Sequence, residues 1–158
     1  MKHALASVIA LVLGLVAACG NGSPLSPGGQ SCTAIGCENG VRFDFSFNKQ
    51  GSYVFDINVD GVVTTCRATL PLSPNVSSAC DRPDVLLTLS GSALPEAQQS
   101  IGGLLFTSTT AKTISIRATR DGALIGEKTF AVNYIVSPGP NGPDCEPKEC
   151  KQVSTTFP

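Results

Sequence analysis

Tyr53-Val54-Phe55-Asp56-Ile57-Asn58-Val59-Asp60-Gly61-Val62-Val63-Thr64-Thr65-Cys66 decides how this chain is read. Tyr53, Phe55, Ile57 and Val59 occupy every second position, the period of a strand with one buried face. Asp60-Gly61 then breaks the pattern with a pair that tolerates two consecutive positive φ angles. Asp-Gly between two such runs predicts a hairpin with a type I′ turn. A two-residue loop pairs Val59 with Val62, Ile57 with Thr64 and Phe55 with Cys66. This register puts the apolar set and Cys66 on one face, so the turn and the pattern agree.

Strand signals continue on both sides. Val41-Arg42-Phe43-Asp44-Phe45-Ser46-Phe47 alternates strictly. Its Phe residues, with Tyr53 and Phe55, read as a core face because their period is two. Val85, Leu87 and Leu89 mark another strand, and Gly103 to Thr107 a short one. Leu94 to Ile101 reads as one helical turn, with Pro95 tolerated at its start. A second Asp-Gly stands at Asp121-Gly122. Here a two-residue loop would place Ala118 opposite Ile125 and turn the apolar set of the following strand outward. A three-residue loop, Arg120-Asp121-Gly122, pairs Ala118 with Leu124 and restores one face. The expectation is therefore a type I turn with a G1 bulge and Gly122 at positive φ. About seven strands with turn signals between them predict an all-β chain. The expected architecture is an immunoglobulin-like antiparallel β-sandwich, with a small β-barrel as the alternative. The antibody signature is absent: there is no Trp, and Cys66 and Cys80 lie too close in sequence for the usual inter-sheet bridge.

Length and composition bound the rest. The chain has 158 residues, which fits one domain. Its formal charge of −1 offers no electrostatic footprint for nucleic acid. Apolar residues at 42% are enough for a core, which argues against a disordered chain.

Met1-Lys2-His3 is a short basic start, followed by an apolar run from Ala4 to Ala18. That run is too short to span a bilayer as a helix, which needs about 20 residues. A basic start, an apolar run and small residues at its end read as a secretory signal over residues 1–18. Val16-Ala17-Ala18-Cys19 resembles the lipobox of bacterial lipoproteins. The resemblance implies a diacylglycerol thioether on Cys19, cleavage between Ala18 and Cys19, and acylation of the new amine. Gly20 rather than Asp comes next, which implies outer-membrane sorting in a Gram-negative cell. Two or more acyl chains would make the attachment lasting. The layout is similar to that of small envelope lipoproteins carrying one β-domain.

Residues 19–31 then form a tether. Nine of the twelve residues in Gly20 to Ser31 are Gly, Ser or Pro. Such a coil reaches about 19 Å. Six cysteines remain after Cys19. An even count in an exported chain reads as three disulfides. Cys66 and Cys80 stand apart from the others and form the favoured pair. Cys32 and Cys37 sit at one end of the folded region, Cys145 and Cys150 at the other. They bridge locally or cross-link the two ends; cross-linking, which would restrain both termini, is the favoured of the two. A four-cysteine zinc site is the alternative, though CxxxxC is looser than the usual ribbon spacing. The folded domain is expected over residues 32–150, and residues 151–158 read as a C-terminal tail.

Chemistry is sparse beyond the signal. His3, the only histidine, leaves with it, which removes Ser-His-Asp and Cys-His catalysis. The remaining candidates are carboxylates. Asp56 with Asp60, and Asp81 with Asp84, are the pairs nearest in sequence, and all four read as surface or turn acids. Asp81, Asp84 and Asp144 are the acids a calcium ion would draw on, but nothing has EF-hand spacing. Asn75-Val76-Ser77 matches a glycosylation sequon that is not expected to be used. Gly102-Gly103 precedes a strand and reads as a bend rather than a phosphate loop. The functional expectation is a lipid-anchored, non-enzymatic binding or structural domain facing the periplasm or the cell surface. Its partners would be the membrane, through the lipid, and an envelope protein or glycan; no catalytic residue, metal or cofactor is assigned. A carboxylate-dependent envelope hydrolase and a four-cysteine metal domain are the alternatives.

Overall fold

The computed structural model describes Cys32, residues 35–73 and residues 79–158. The signal (residues 1–18), Cys19, the tether and the sequon at Asn75 lie outside the described residues. The described residues form ten strands: β1 (Gly40–Phe47), β2 (Gly51–Val59), β3 (Val62–Leu70), β4 (Ala79–Cys80), β5 (Val85–Ser90), β6 (Ser100–Phe106), β7 (Thr113–Arg120), β8 (Ala123–Ala131), β9 (Ile135–Pro138) and β10 (Glu149–Thr156). A single 3-10 turn at Glu96–Gln98 is what remains of the expected helical turn. Its last residues instead open β6.

The strands make two open five-stranded sheets, in the orders β5-β6-β1-β10-β9 and β4-β3-β2-β7-β8. They face each other as a sandwich and do not close into a barrel. The order β5-β6-β1 against β4-β3-β2-β7-β8 corresponds to strands D-E-B against C″-C′-C-F-G of an immunoglobulin variable-type domain. One strand departs from that pattern. The position beside strand B, filled in that fold by the first strand, is taken here by β10, which runs parallel to β1.

The expected β2–β3 register is present in full: Val59↔Val62, Ile57↔Thr64 and Phe55↔Cys66. Asp60 at φ 50° and Gly61 at φ 92° make the turn between them. The second hairpin corrects the expected three-residue loop. Arg120 pairs with Ala123, so the loop has two residues, Asp121 (φ 51°) and Gly122 (φ 81°). The parity problem is solved further along: the register shifts after Thr119↔Leu124 to Ala118↔Gly126, leaving Ile125 as a bulge residue on β8. The bulge was needed, but it sits in the strand and not in the turn. It returns Phe130 to the face of Ile114.

Two further expectations are corrected. The described residues hold ten strands, not about seven, because β4, β9 and β10 carry no alternating apolar signal. Residues 151–156 are not a tail but most of β10, which lies between β1 and β9. The folded domain therefore extends beyond residue 150. Phe157 follows β10 into the core, 4% exposed, where its ring lies 5.4 Å from Phe45. Lys151-Gln152-Val153-Ser154-Thr155-Thr156 reads as polar because only the pairing of its backbone, and not an apolar face, makes it a strand.

The core is the alternating face foreseen. Phe43, Phe55, Ile57, Leu104, Ile114 and Ile116 are all at most 1% exposed. Phe45 stacks on Phe55 at 5.3 Å, and Phe106 meets Phe43 edge-on at 5.7 Å. Such ring pairs add about 0.5–1.5 kcal/mol each beyond their buried area. Gly103 on β6 has a steric reason to lack a side chain: a Cβ there would collide with the carbonyl oxygen of Phe43 on β1.

Candidate functional site

The register gives the sandwich two distinct ends. β1 and β10 start together, and β2 ends beside the start of β7. That end collects Cys37, Asn39, the Asp60-Gly61 turn and the long connection between β9 and β10. The opposite end collects the β1–β2 connection, the β7–β8 turn, the β5–β6 connection and Phe157.

The first end is stapled. Cys32 bridges Cys145, and Cys37 bridges Cys150. The two expected clusters thus cross-link the ends of the chain. The third bridge, Cys66 to Cys80, joins directly opposed residues of β3 and β4. With all six sulfurs in disulfides, a four-cysteine site has no thiolate left to offer a metal. Hydrogen bonds complete the stapled end. Asn141 Nδ2 donates to the carbonyls of Ile35 and Glu146, while its Oδ1 accepts from the Ile35 amide. Asn39 Oδ1 accepts from the Lys151 amide at 2.8 Å. The Asp60 carboxylate accepts from the amides of Lys112 and Thr113, at 3.0 and 2.8 Å, and these two bonds hold its pKa below the ordinary carboxylate value.

The remaining candidate acids are scattered. Asp56 projects from the outer face of β2, where the Thr65 hydroxyl donates to it at 3.2 Å. Asp81 pairs with Arg67 at 3.2 Å. Asp84 accepts two bonds from Arg82, at 2.9 and 2.6 Å, which lower its pKa. Asp44, on the outer face of β1, is likewise lowered by Arg42 at 2.9 Å. Asp144 lies in the β9–β10 connection at the stapled end. Asp56 and Asp60 have separate partners, the Thr65 hydroxyl and the Lys112 and Thr113 amides, and Asp81 and Asp84 each turn to a different arginine. Among the described residues, no three His, Cys, Asp or Glu side chains are grouped so as to hold a metal ion.

The open end holds a different kind of feature. A cleft of about 260 Å³ opens between the two sheets, lined by Ser46, Phe47, Asn48, Lys49, Tyr53, Arg120 and Ile125. Each element delivers its residue for a local reason. Tyr53 is the first inward residue of β2, 1% exposed, with its hydroxyl donating to the Lys49 carbonyl. Ile125 reaches the mouth because it is the bulge residue of β8. Arg120 pairs with Tyr53 across β2 and β7 and continues the inward series Ile114, Ile116, Ala118. A cation thus stands where the alternation would place an apolar residue. Its carboxylate neighbour, Asp121, is 4.0 Å away and already accepts from the Ser52 amide at 2.8 Å. Glu96, also at this end, accepts from Gln50. Sequence reasoning missed Arg120 and Lys49. The signal for Arg120 was present, as a charge at the inward parity of an otherwise apolar strand face.

No protein-family model, curated protein or solved structure matches this chain.

Proposed function

We propose that the chain is a lipid-anchored cell-envelope protein whose β-sandwich is a non-enzymatic binding module, held by Cys19 in the outer membrane where the cell has one. The observation that carries this reading is the polarity of the sandwich. The segment leading back toward Cys19 enters at Cys32, which is bonded to Cys145 at the stapled end. A tether of about 19 Å would then place that end next to the lipid. The loops and the inter-sheet cleft would face away from it, toward an envelope protein or glycan. Loops at the end of a rigid sandwich are where such domains bind partners. Three disulfides are in keeping with an oxidising compartment.

The hydrolase alternative draws less support. A glycosidase needs two carboxyl groups facing each other about 5–9 Å apart in a cleft. The cleft at the open end is lined by two cations and no carboxylate.

The test is the intact mass of the protein taken from a membrane fraction, before and after reduction. The expected species begins at Cys19, carries acyl chains, and gains about 6 Da when three disulfides are reduced. An unmodified mass recovered from a soluble fraction would overturn the anchor.

A further inference from the structure

We infer that the cleft at the open end binds a carboxylate that carries a small apolar group, as the end of a peptide chain does. The inference deepens the binding-module reading and rests on it only for the biological setting. Two cations, Lys49 and Arg120, line the cleft, and no acid does. The Arg120 side chain is 30% exposed, so its guanidinium is partly withdrawn from water and still reachable. It lies on the inward face of β7, opposite Tyr53, and its stem is held beside Gly51, where any Cβ would press on it. Its contact with Asp121 is long, 4.0 Å from Nε to Oδ2, beyond hydrogen-bond distance, while Asp121 Oδ1 accepts from the Ser52 amide. An anion entering the mouth would supply a partner within hydrogen-bond distance. Arg is suited to this because its planar fork matches a carboxylate in two parallel hydrogen bonds.

The floor decides what accompanies the charge. Phe47 and Ile125 are half-buried and face the same space as Arg120. They favour an apolar substituent over a bare inorganic anion. Size sets the scale: about 260 Å³ holds roughly eight or nine water volumes, the room taken by one amino-acid-sized group and not by a polymer. Ser46 and Asn48 on the rim can bond an adjoining amide.

The experiment titrates the full chain, in detergent, while amide chemical shifts are followed by NMR. The probes are N-acetyl-L-leucine, its carboxamide, 4-methylpentanoate and inorganic phosphate. N-acetyl-L-leucine is expected to shift the amides of Ser46, Asn48, Lys49 and Arg120 saturably, and the carboxamide to fail. Arg120→Gln should weaken binding about tenfold or more, the size of one lost charge-assisted hydrogen bond. Arg42→Gln, on the outer face and engaged by Asp44 and Glu38, should leave it unchanged. If Arg120→Gln does not fold, Lys49→Gln, on an exposed loop residue, carries the same test with a smaller loss. 4-Methylpentanoate separates the two sources: equal binding assigns a free acid, weaker binding a peptide end. Saturation by the carboxamide, equal binding of phosphate, or affinity untouched by both cleft variants would overturn the inference. A lipidated chain that binds none of the probes sinks this inference alone, whereas an unlipidated chain that binds N-acetyl-L-leucine sinks only the anchor.

Discussion

The two ends of the sandwich are held by different kinds of bond. At the stapled end, Cys32–Cys145 and Cys37–Cys150 join segments 113 residues apart. At the open end, the cohesion comes from single side chains. Gln99, 5% exposed, accepts from the Leu72 amide at 2.6 Å and donates to the Leu94 carbonyl at 3.0 Å. This ties the exit of β3 to the β5–β6 connection. The Asp121 carboxylate and amide clasp Ser52, and the Tyr53 hydroxyl holds the β1–β2 connection at Lys49. The contrast marks where the domain can open locally without losing its covalent closure. Covalent closure holds one end, and at the other the loops are held by hydrogen bonds alone.

Removing both staples has the largest expected effect on the fold. In the chain-entropy model, closing a loop of this length contributes about 4.7 kcal/mol. Once one staple is in place, the other closes a ring of only about ten residues, worth about 2.7 kcal/mol. Replacing either pair with alanine should therefore cost about 3 kcal/mol, and replacing both pairs about 7. Urea unfolding of the three variants measures this. A double loss equal to twice the single loss would show that the two staples act independently.

The open end also has a buried ring, Phe157, packed among Phe45 and Phe47. Phe157→Ala should cost about 3–5 kcal/mol, the usual loss for a buried ring. Its neighbours include Phe45 and Gly126, where a Cβ would meet the Phe157 ring at 3.0 Å. A chain ending at Cys150 should fail to fold, because it also loses the strand beside β1. A cooperative thermal transition in that truncation would return residues 151–158 to the status of a tail.

Gln99→Leu comes next. It leaves the Leu72 amide and the Leu94 carbonyl without their bonds, for about 1–3 kcal/mol. Amide exchange should quicken around Leu72 and Leu94 and stay unchanged at Lys151 beside Asn39. Faster exchange at both ends would show that the two ends are not separately held.

The smallest effect concerns Asp60, whose pKa is lowered by the Lys112 and Thr113 amides. A carboxylate with a lowered pKa contributes stability that is present above its ordinary value and is lost as pH falls through the folded one. Melting temperature should therefore fall as pH drops below about 4, and Asp60→Asn should flatten that fall while lowering the neutral-pH value slightly. An acid limb of the same depth in the variant would assign it to Asp44 and Asp84 instead.

Much of this was legible in the sequence, for reasons that can be named. Asp60-Gly61 and the flanking alternation set a register that the structure repeats residue by residue, because a tight turn and a one-sided apolar face allow only one pairing. The even cysteine count anticipated three bridges and the grouping favoured Cys66–Cys80 and a cross-link of the two terminal clusters, but not which cysteine of one cluster meets which of the other. The second hairpin was half legible. Alternation demanded one extra residue, but turn and strand bulges satisfy that demand equally, and only packing against the facing sheet selects Ile125. β10 was illegible because a strand hydrogen-bonded on both sides needs no apolar pattern when most of its side chains meet solvent. Its identity comes from β1 and β9, and β1 is distant in sequence.

The candidate site divides in the same way. Asp56, Asp81 and Asp84 read as surface acids from the strand parity and loop around them, and Asp60 as a turn residue, although its amide partners Lys112 and Thr113 lie far off in the chain. Arg120 and Lys49 belong to separate strands and loops, and nothing local joins them. Sequence alone was enough for the strand class, the first hairpin, the number of disulfides and the expectation of an exported, tethered chain, because each rests on short-range stereochemistry or on counting; which terminal cysteines pair was settled by the fold. Only the tertiary structure decided that β10 completes the sheet and that a cleft with two cations opens at the end away from the staples. Those features arise where segments far apart in the chain meet, and sequence spacing carries no measure of that distance.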